Sequence, residues 1–172
     1  VMAIEINDQR AQPEPVNIDL RMLRYAMQFI PGMTYELAQK HAVDFRTGEH
    51  SALSQLHIRD GRIALTQRFT EREFHCSSAI AIGVMGRASR TRYLNESTVQ
   101  LSVAPGRGAY MILIASAATF ARNEDVAGLA LAELELAAAV GFASLRDDTA
   151  AWWREFWSRG AVRLHSADGQ AD

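Results

Sequence analysis

Three side chains in one short stretch could carry chemistry together. Glu71, Glu73 and His75 alternate, and on a strand reading alternate residues project from one face. Two carboxylates and an imidazole on one face could hold a metal ion or share a proton. The same mixture is routine on the solvated outer face of a β-sheet, and a motif of this kind needs structural context before it counts. Cys76 follows His75 directly. Neighbours on a strand point to opposite faces, so the pair is not arranged as nucleophile and base, and Cys76 is expected to be a buried structural thiol. His41, His50, His57 and His165 are scattered without metal-ligand spacing, and His57 falls on the polar phase of its strand, where it is expected to face solvent. Gly83, Gly86, Gly106 and Gly108 form no phosphate loop, because none follows a strand and opens a helix. Pro105 to Gly108 reads as a turn between strands. A Gly-x-Ser-x-Gly nucleophile elbow is absent from the sequence. No catalytic residue and no cofactor is assigned.

The whole chain narrows the classes further. It has 172 residues, within the range of one domain. A formal net charge of -2 removes the electrostatic reason for nucleic-acid binding. One cysteine excludes an intrachain disulfide and a Cys-rich zinc site. The run Met111 to Ala118 is far shorter than the roughly 20 residues that span a bilayer. The longer Val126–Leu145 run carries Glu133 and Glu135 in its middle, each costing about 2.5–3.5 kcal/mol at the centre of a bilayer; no membrane partner is expected. The start, Val1 to Asp8, has no basic region followed by an apolar one, and a valine before the methionine reads as the inside of a longer chain. Lys40 is the only lysine, so arginine supplies nearly all positive charge.

The elements that must position these groups divide near residue 120. Val16–Leu20 alternates like a half-buried strand. Leu23–Ile30 follows, closed by Pro31-Gly32, then Tyr35–Phe45, broken at Thr47-Gly48, and Leu53–Arg59. Asp60-Gly61 between strand-like residues is a hairpin signal, because a type I′ turn needs positive φ at both positions. Arg62–Glu71, Phe74–Val84, Thr98–Val103 and Tyr110–Ser116 complete the series. Short strands with no helix between them predict a mostly β fold, an antiparallel sheet or sandwich over residues 1–120. Beyond it, Asn123 or Asp125 can cap a helix through Val126, Leu129, Ala130, Leu134, Ala137, Ala138 and Val140, with Gly141 near its end. Ser144-Leu145-Arg146-Asp147 resembles a capping box opening a second helix, which carries Trp152, Trp153, Phe156 and Trp157 and stops near Gly160. Trp152 and Phe156 share one face and Trp153 and Trp157 the next. Either both faces pack on the sheet, or one meets something outside this chain. Val162-Arg163-Leu164 reads as a short returning strand.

The C-terminal stretch carries a resemblance. Gly108-Ala109-Tyr110-Met111-Ile112-Leu113-Ile114-Ala115, then a helix, Leu145, and Trp152-Trp153-Arg154-Glu155-Phe156-Trp157-Ser158-Arg159 resemble the end of the N-terminal β-sandwich and the linker helices of bacterial glycoside hydrolases with a six-hairpin (α/α) barrel. The named relatives are the α-L-fucosidases of family ninety-five and their uncharacterised cousins. Val43-Asp44-Phe45-Arg46-Thr47-Gly48 is similar to that family's Leu-Asp-Leu-x-Thr-Gly strand and turn, and Arg68-Phe69 lies where the family has an Arg-rich strand. The opening Gly-Asn-Gly is missing, and Thr149 stands where many relatives have His.

The resemblance covers roughly residues 40 to 170. It implies a supersandwich-like β domain over 1–120, a pair of linker helices over 121–160, and a connection over 161–172 to a catalytic barrel outside this chain. It implies a non-catalytic supporting role, since the family's acid and base carboxylates lie in the barrel. Trp152, Trp153, Arg154, Phe156 and Trp157 then form the contact with the barrel, and an oligosaccharide is a further expected partner. The compartment follows the parent protein: periplasm or secretion with a signal peptide, cytoplasm without one. An incomplete sandwich leaves free sheet edges through which copies can associate. The alternatives are a stand-alone carbohydrate-binding or protein-interaction β-domain, and a small enzyme using Glu71, Glu73 and His75.

Overall fold

A computed structural model describes the backbone of residues 1–22, 50–71 and 73–160, and the side chains of the same residues other than 50–52 and 71. The chain runs β1 (Met2–Asp8), β2 (Val16–Arg21), β3 (His50–Arg59), β4 (Arg62–Glu71), β5 (Phe74–Met85), β6 (Ser89–Asn95), β7 (Thr98–Val103), β8 (Gly108–Thr119), then α1 (Val126–Val140) and α2 (Phe142–Ser158). The mostly β architecture with two C-terminal helices agrees with the sequence. All strand pairs are antiparallel. The expected strands at Leu23–Ile30, Tyr35–Phe45 and Val162–Leu164 lie outside the described residues, as do the Val43–Gly48 motif, His41 and His165.

Five strands form the larger sheet in the order β1-β8-β5-β4-β3, and three form the smaller in the order β2-β7-β6. Their facing sides enclose one apolar layer of Leu20, Ile63, Ile82, Val99, Leu101, Val103, Tyr110 and Ile112. The opposite side of the larger sheet is lined by Ala64, Ala79, Ala81, Leu113 and Ala115, and α1 lies on it through Val126, Ala130, Leu134 and Ala137. Small side chains on the sheet let the helix approach closely. The molecule is thus layered as small sheet, large sheet, helix.

Local signals hold at the Asp60-Gly61 hairpin, where φ is 49° and 73°, as a type I′ turn demands. Two strands carry weaker signals. Strand β1 pairs Ile4 with Ile112 and Ile6 with Tyr110 along the edge of the larger sheet. Strand β6, Ser-Arg-Thr-Arg-Tyr-Leu-Asn, is a charged edge with a register shift between Tyr93 and Asn95. Arginines and an irregularity on an edge strand blunt edge-to-edge pairing.

The far end of the sandwich is stapled by arginines. The Asp8 side chain is almost fully buried and accepts from Arg10 N (3.1 Å), Nε (3.0 Å) and Nη2 (2.6 Å). Arg87 donates to the carbonyls of Gly106 and Gly108 and sits 4.5 Å above the Tyr110 ring. Arg107 donates to the carbonyls of Arg10 and Ala11. Three loops are tied together by side chain to carbonyl bonds, which satisfies groups that no strand ladder reaches.

Candidate interdomain surface

Helix α1 sets the position of everything after it. Its cap is Asp125, whose Oδ1 accepts from Gly128 N at 3.1 Å. Arg59 donates to Asp125 Oδ2 at 2.6 Å, joining the helix start to the end of β3. This guanidinium is the first cause holding the Asp125 carboxyl below its usual range, with the Gly128 N–H second. Two residues past the helix centre, Glu135 pairs with Arg62 of β4. Between these two polar ties, Leu134 is fully buried over Gly83 of β5. A Cβ at Gly83 would lie 3.0 Å from Leu134 Cδ2, so the missing side chain is the notch that receives the leucine.

The chain then turns through Gly141, at φ 81° and ψ 161°, a conformation that L side chains rarely adopt. Its N–H closes α1 on Ala137 O, and its carbonyl accepts from Leu145 N. The second helix therefore starts at Phe142, and the axes of the two helices differ by 99°. This corrects the capping-box expectation: Ser144 lies inside the first turn, and no side chain caps α2. The reason is Phe142, which packs with Leu145 against the core beneath α1 and draws the helix start toward the elbow.

Beyond that first turn little among the described residues lies under α2. None of its 17 residues is buried. Trp152, Trp153, Phe156 and Trp157 each remain about half exposed. The rings pack on one another. Trp152 stacks on Phe156 at 5.3 Å and Trp153 on Trp157 at 6.2 Å, the two i,i+4 pairs. Edge-to-face contacts of 4.7 Å and 5.1 Å join the two stacks. Arg154 is exposed and makes no ion pair among the described residues. Glu155 pairs with Arg159 along the helix. The five residues expected at an interdomain contact thus share one helix, four of them as a continuous aromatic ladder. Among the described residues this helix meets mainly α1 and β1, and the ladder is an exposed apolar patch.

The other candidate groups are dispersed. Glu71 ends β4, Glu73 lies in the turn after it and His75 enters β5. The three do not share a strand, because the chain reverses between them: Thr70 pairs with His75. His75 Nε2 is instead hydrogen-bonded to Ser77 Oγ at 2.8 Å. Among the described residues no group of three or more His, Cys, Asp or Glu is placed to hold a metal ion. His57 does not face open solvent. It is half-buried and hydrogen-bonded to Thr66 Oγ1 at 3.0 Å, and burial is the main cause lowering its pKa, with Arg59 next. Its strand phase is the one that α1 covers, which periodicity alone could not say. Cys76 is half-buried rather than buried. No single helix among the described residues is long and apolar enough to cross a membrane, and the pair that passes together is bent at Gly141.

Sequence reasoning placed Gly141 at the end of α1, where it lies, but missed Phe142 and Leu145 as the anchor of α2. Their signal is the glycine followed at once by an aromatic residue, a stop and a restart within two positions. Comparisons with protein-family models, with curated proteins and with solved structures find no match to this chain.

Proposed function

We propose that this chain is a non-catalytic β-sandwich with linker helices from the N-terminal part of an α-L-fucosidase-like bacterial glycoside hydrolase. Its role is to dock on and support an (α/α) catalytic barrel in the same parent protein, and to form part of the wall along which an oligosaccharide lies. The observation that carries this reading is α2: a helix with no buried residue and a ladder of four aromatic rings. A domain that ended its work at α1 has no use for three tryptophans on the next helix. Sandwich, short helix pair and aromatic exit also follow one another in the order the resemblance implies.

The experiment has two parts. The mass of the native gene product is measured against this chain's 19.1 kDa; a product several times larger is expected. Trp153→Ala and Trp157→Ala are then made in that full-length product and in the present chain. A lowered melting temperature in the first and not in the second supports docking through α2. A native product of about the present size sinks the barrel reading, and leaves a self-contained binding domain.

A further inference from the structure

Strand β6 closes one side of the smaller sheet, and the direction of its free backbone groups can be worked out. Two hydrogen bonds fix the phase of the ladders. Met22 N donates to Ser97 O at 2.8 Å on the β2 side of β7, and Ala104 N donates to Ala88 O at 2.9 Å on the β6 side. Antiparallel ladder bonds join every second pair of facing residues. Val99, Leu101 and Val103 of β7 therefore bond to β2, whereas Gln100 and Ser102 bond to Arg92 and Arg90. The N–H and C=O groups of Ser89, Thr91 and Tyr93 point away from β7, and among the described residues no strand pairs with them.

The side chains along this edge carry charge of one sign. Arg90 and Arg92 stand on the outer face of the sheet, two residues and about 7 Å apart. Both are exposed, and neither makes an ion pair among the described residues. Arg92 is held in place: its Nε and Nη2 donate to Gln100 Oε1 at 3.1 Å and 2.9 Å. Gln100 Nε2 donates in turn to Asp19 Oδ1 at 2.9 Å. Gln100 is buried between them, so this chain of bonds across three strands orients the guanidinium in advance. Asp19, on β2, accepts from the amide and leaves both guanidiniums without a carboxylate. On the inner side Tyr93 is half exposed and donates through its hydroxyl to Leu56 O of β3.

These features discriminate between partners. A second β6 centred on Thr91 would set Arg90 against Arg92, which like-charge repulsion disfavours. An incoming antiparallel strand would bond to Ser89, Thr91 and Tyr93. Its residues opposite Arg90 and Arg92 would then take the non-hydrogen-bonded positions, where facing side chains come closest. Carboxylates on alternate residues of an extended chain repeat at the same spacing of about 7 Å as the two arginines. The residues between them turn inward over Tyr93, where β-branched side chains suit a pleated, half-covered surface.

We propose that the β6 edge receives an extended acidic peptide from a partner protein, added as a fourth strand of the smaller sheet with alternate carboxylates on Arg90 and Arg92. This edge lies across the larger sheet from α1, and the proposal is independent of the docking of α2.

The probe is a fluorescent, acetylated and amidated peptide, Thr-Val-Glu-Val-Glu-Val-Thr, titrated with the full chain and followed by anisotropy. Saturable binding is expected, and it should be lost when lysine replaces both glutamates. Methylating the valine nitrogens removes the bonds to Ser89, Thr91 and Tyr93 and should abolish binding. Methylating the glutamate nitrogens, which point away from β6, should leave it. Arg90→Gln/Arg92→Gln, with unchanged far-ultraviolet circular dichroism, should weaken binding by about tenfold. No binding by the parent chain, equal binding of the lysine peptide, or equal effects of the two methylation patterns overturns the proposal. The peptide series uses the parent chain throughout, so it decides the matter even where the double variant misfolds.

Discussion

Leu134 and Gly83 form a pair whose energetics can be worked through. Leu134→Ala removes three buried carbons from the layer between α1 and the larger sheet, worth about 2.4 kcal/mol in transfer free energy alone. The vacated space adds a cavity cost, because the sheet beneath is held by its ladder and cannot follow, bringing the total to about 3–4 kcal/mol. Gly83→Ala acts in the opposite sense, by overfilling. Its methyl group would lie 3.0 Å and 3.3 Å from the two Leu134 methyls and 3.4 Å from Arg62 Cγ. Overpacking of that kind costs about 1–3 kcal/mol, against which alanine returns about 0.5–1 kcal/mol by stiffening the unfolded chain. A net loss of about 1 kcal/mol is expected from the two contributions. In the Leu134→Ala background the two closest contacts no longer exist, and the new methyl enters the cavity. Gly83→Ala should then be neutral or stabilising, a coupling of about 1–2 kcal/mol between the sites. Urea unfolding of the four proteins, followed by circular dichroism, measures the cycle. Thermal melts should place Leu134→Ala about 10 °C below the parent. If Gly83→Ala costs the same in both backgrounds, Leu134 does not occupy the notch and the account of α1 is wrong.

Three further outcomes are expected. Trp153→Ala and Trp157→Ala should each shift the stability of the isolated chain by less than about 1 kcal/mol, because the rings pack chiefly on one another along an exposed helix; where a partner covers the exposed half of a ring, about 100 Å², the cost rises to about 2.5 kcal/mol. Asp125→Ala should destabilise by about 1–2 kcal/mol through loss of the cap, and Asp125→Asn, which can still cap, by clearly less; equal losses in urea unfolding would shift the weight from the cap to Arg59. Asp8 is held at about 2 chiefly by its hydrogen bonds to the Arg10 side chain, then to the Arg10 N–H, below an unfolded value near 3.8. Its ionised form therefore adds stability at neutral pH, and this is lost as pH falls from about 4 through 2. The melting-temperature gap between the parent and Asp8→Asn should be constant above pH 5 and close across that window; a gap independent of pH would falsify the assignment.

Much of the secondary structure was legible because its signals are local. Asp60-Gly61 is a turn by its own torsional preferences, and β4 and β7 have the bounds that their β-branched and apolar runs predict. Asp125 caps α1 as its type and place suggest. Strand β6 was hidden because Arg90 and Arg92 suit an edge and carry no apolar period. Ser144 misled because its motif is complete, yet Phe142 finds buried contacts two residues earlier and the helix begins there.

Local pattern is therefore enough for the inventory: strands, the hairpin, the helix pair, and an aromatic cluster at i,i+4 spacing. Tertiary structure alone decided which face of each element is covered. Alternation places His57 and Thr66 on one side of their strands and Cys76 and Phe74 on the other, but period two is symmetric between the sides. Only the arrival of α1 over one face, and the shorter described strands of the smaller sheet over the other, leaves Thr66 buried and Phe74 exposed. The same holds for α2. Its ladder follows from spacing, whereas its lack of a covering layer among the described residues follows from the Gly141 elbow, which turns the helix by 99° away from the line of α1. Burial depends on residues far apart in the chain, and no local pattern contains that information.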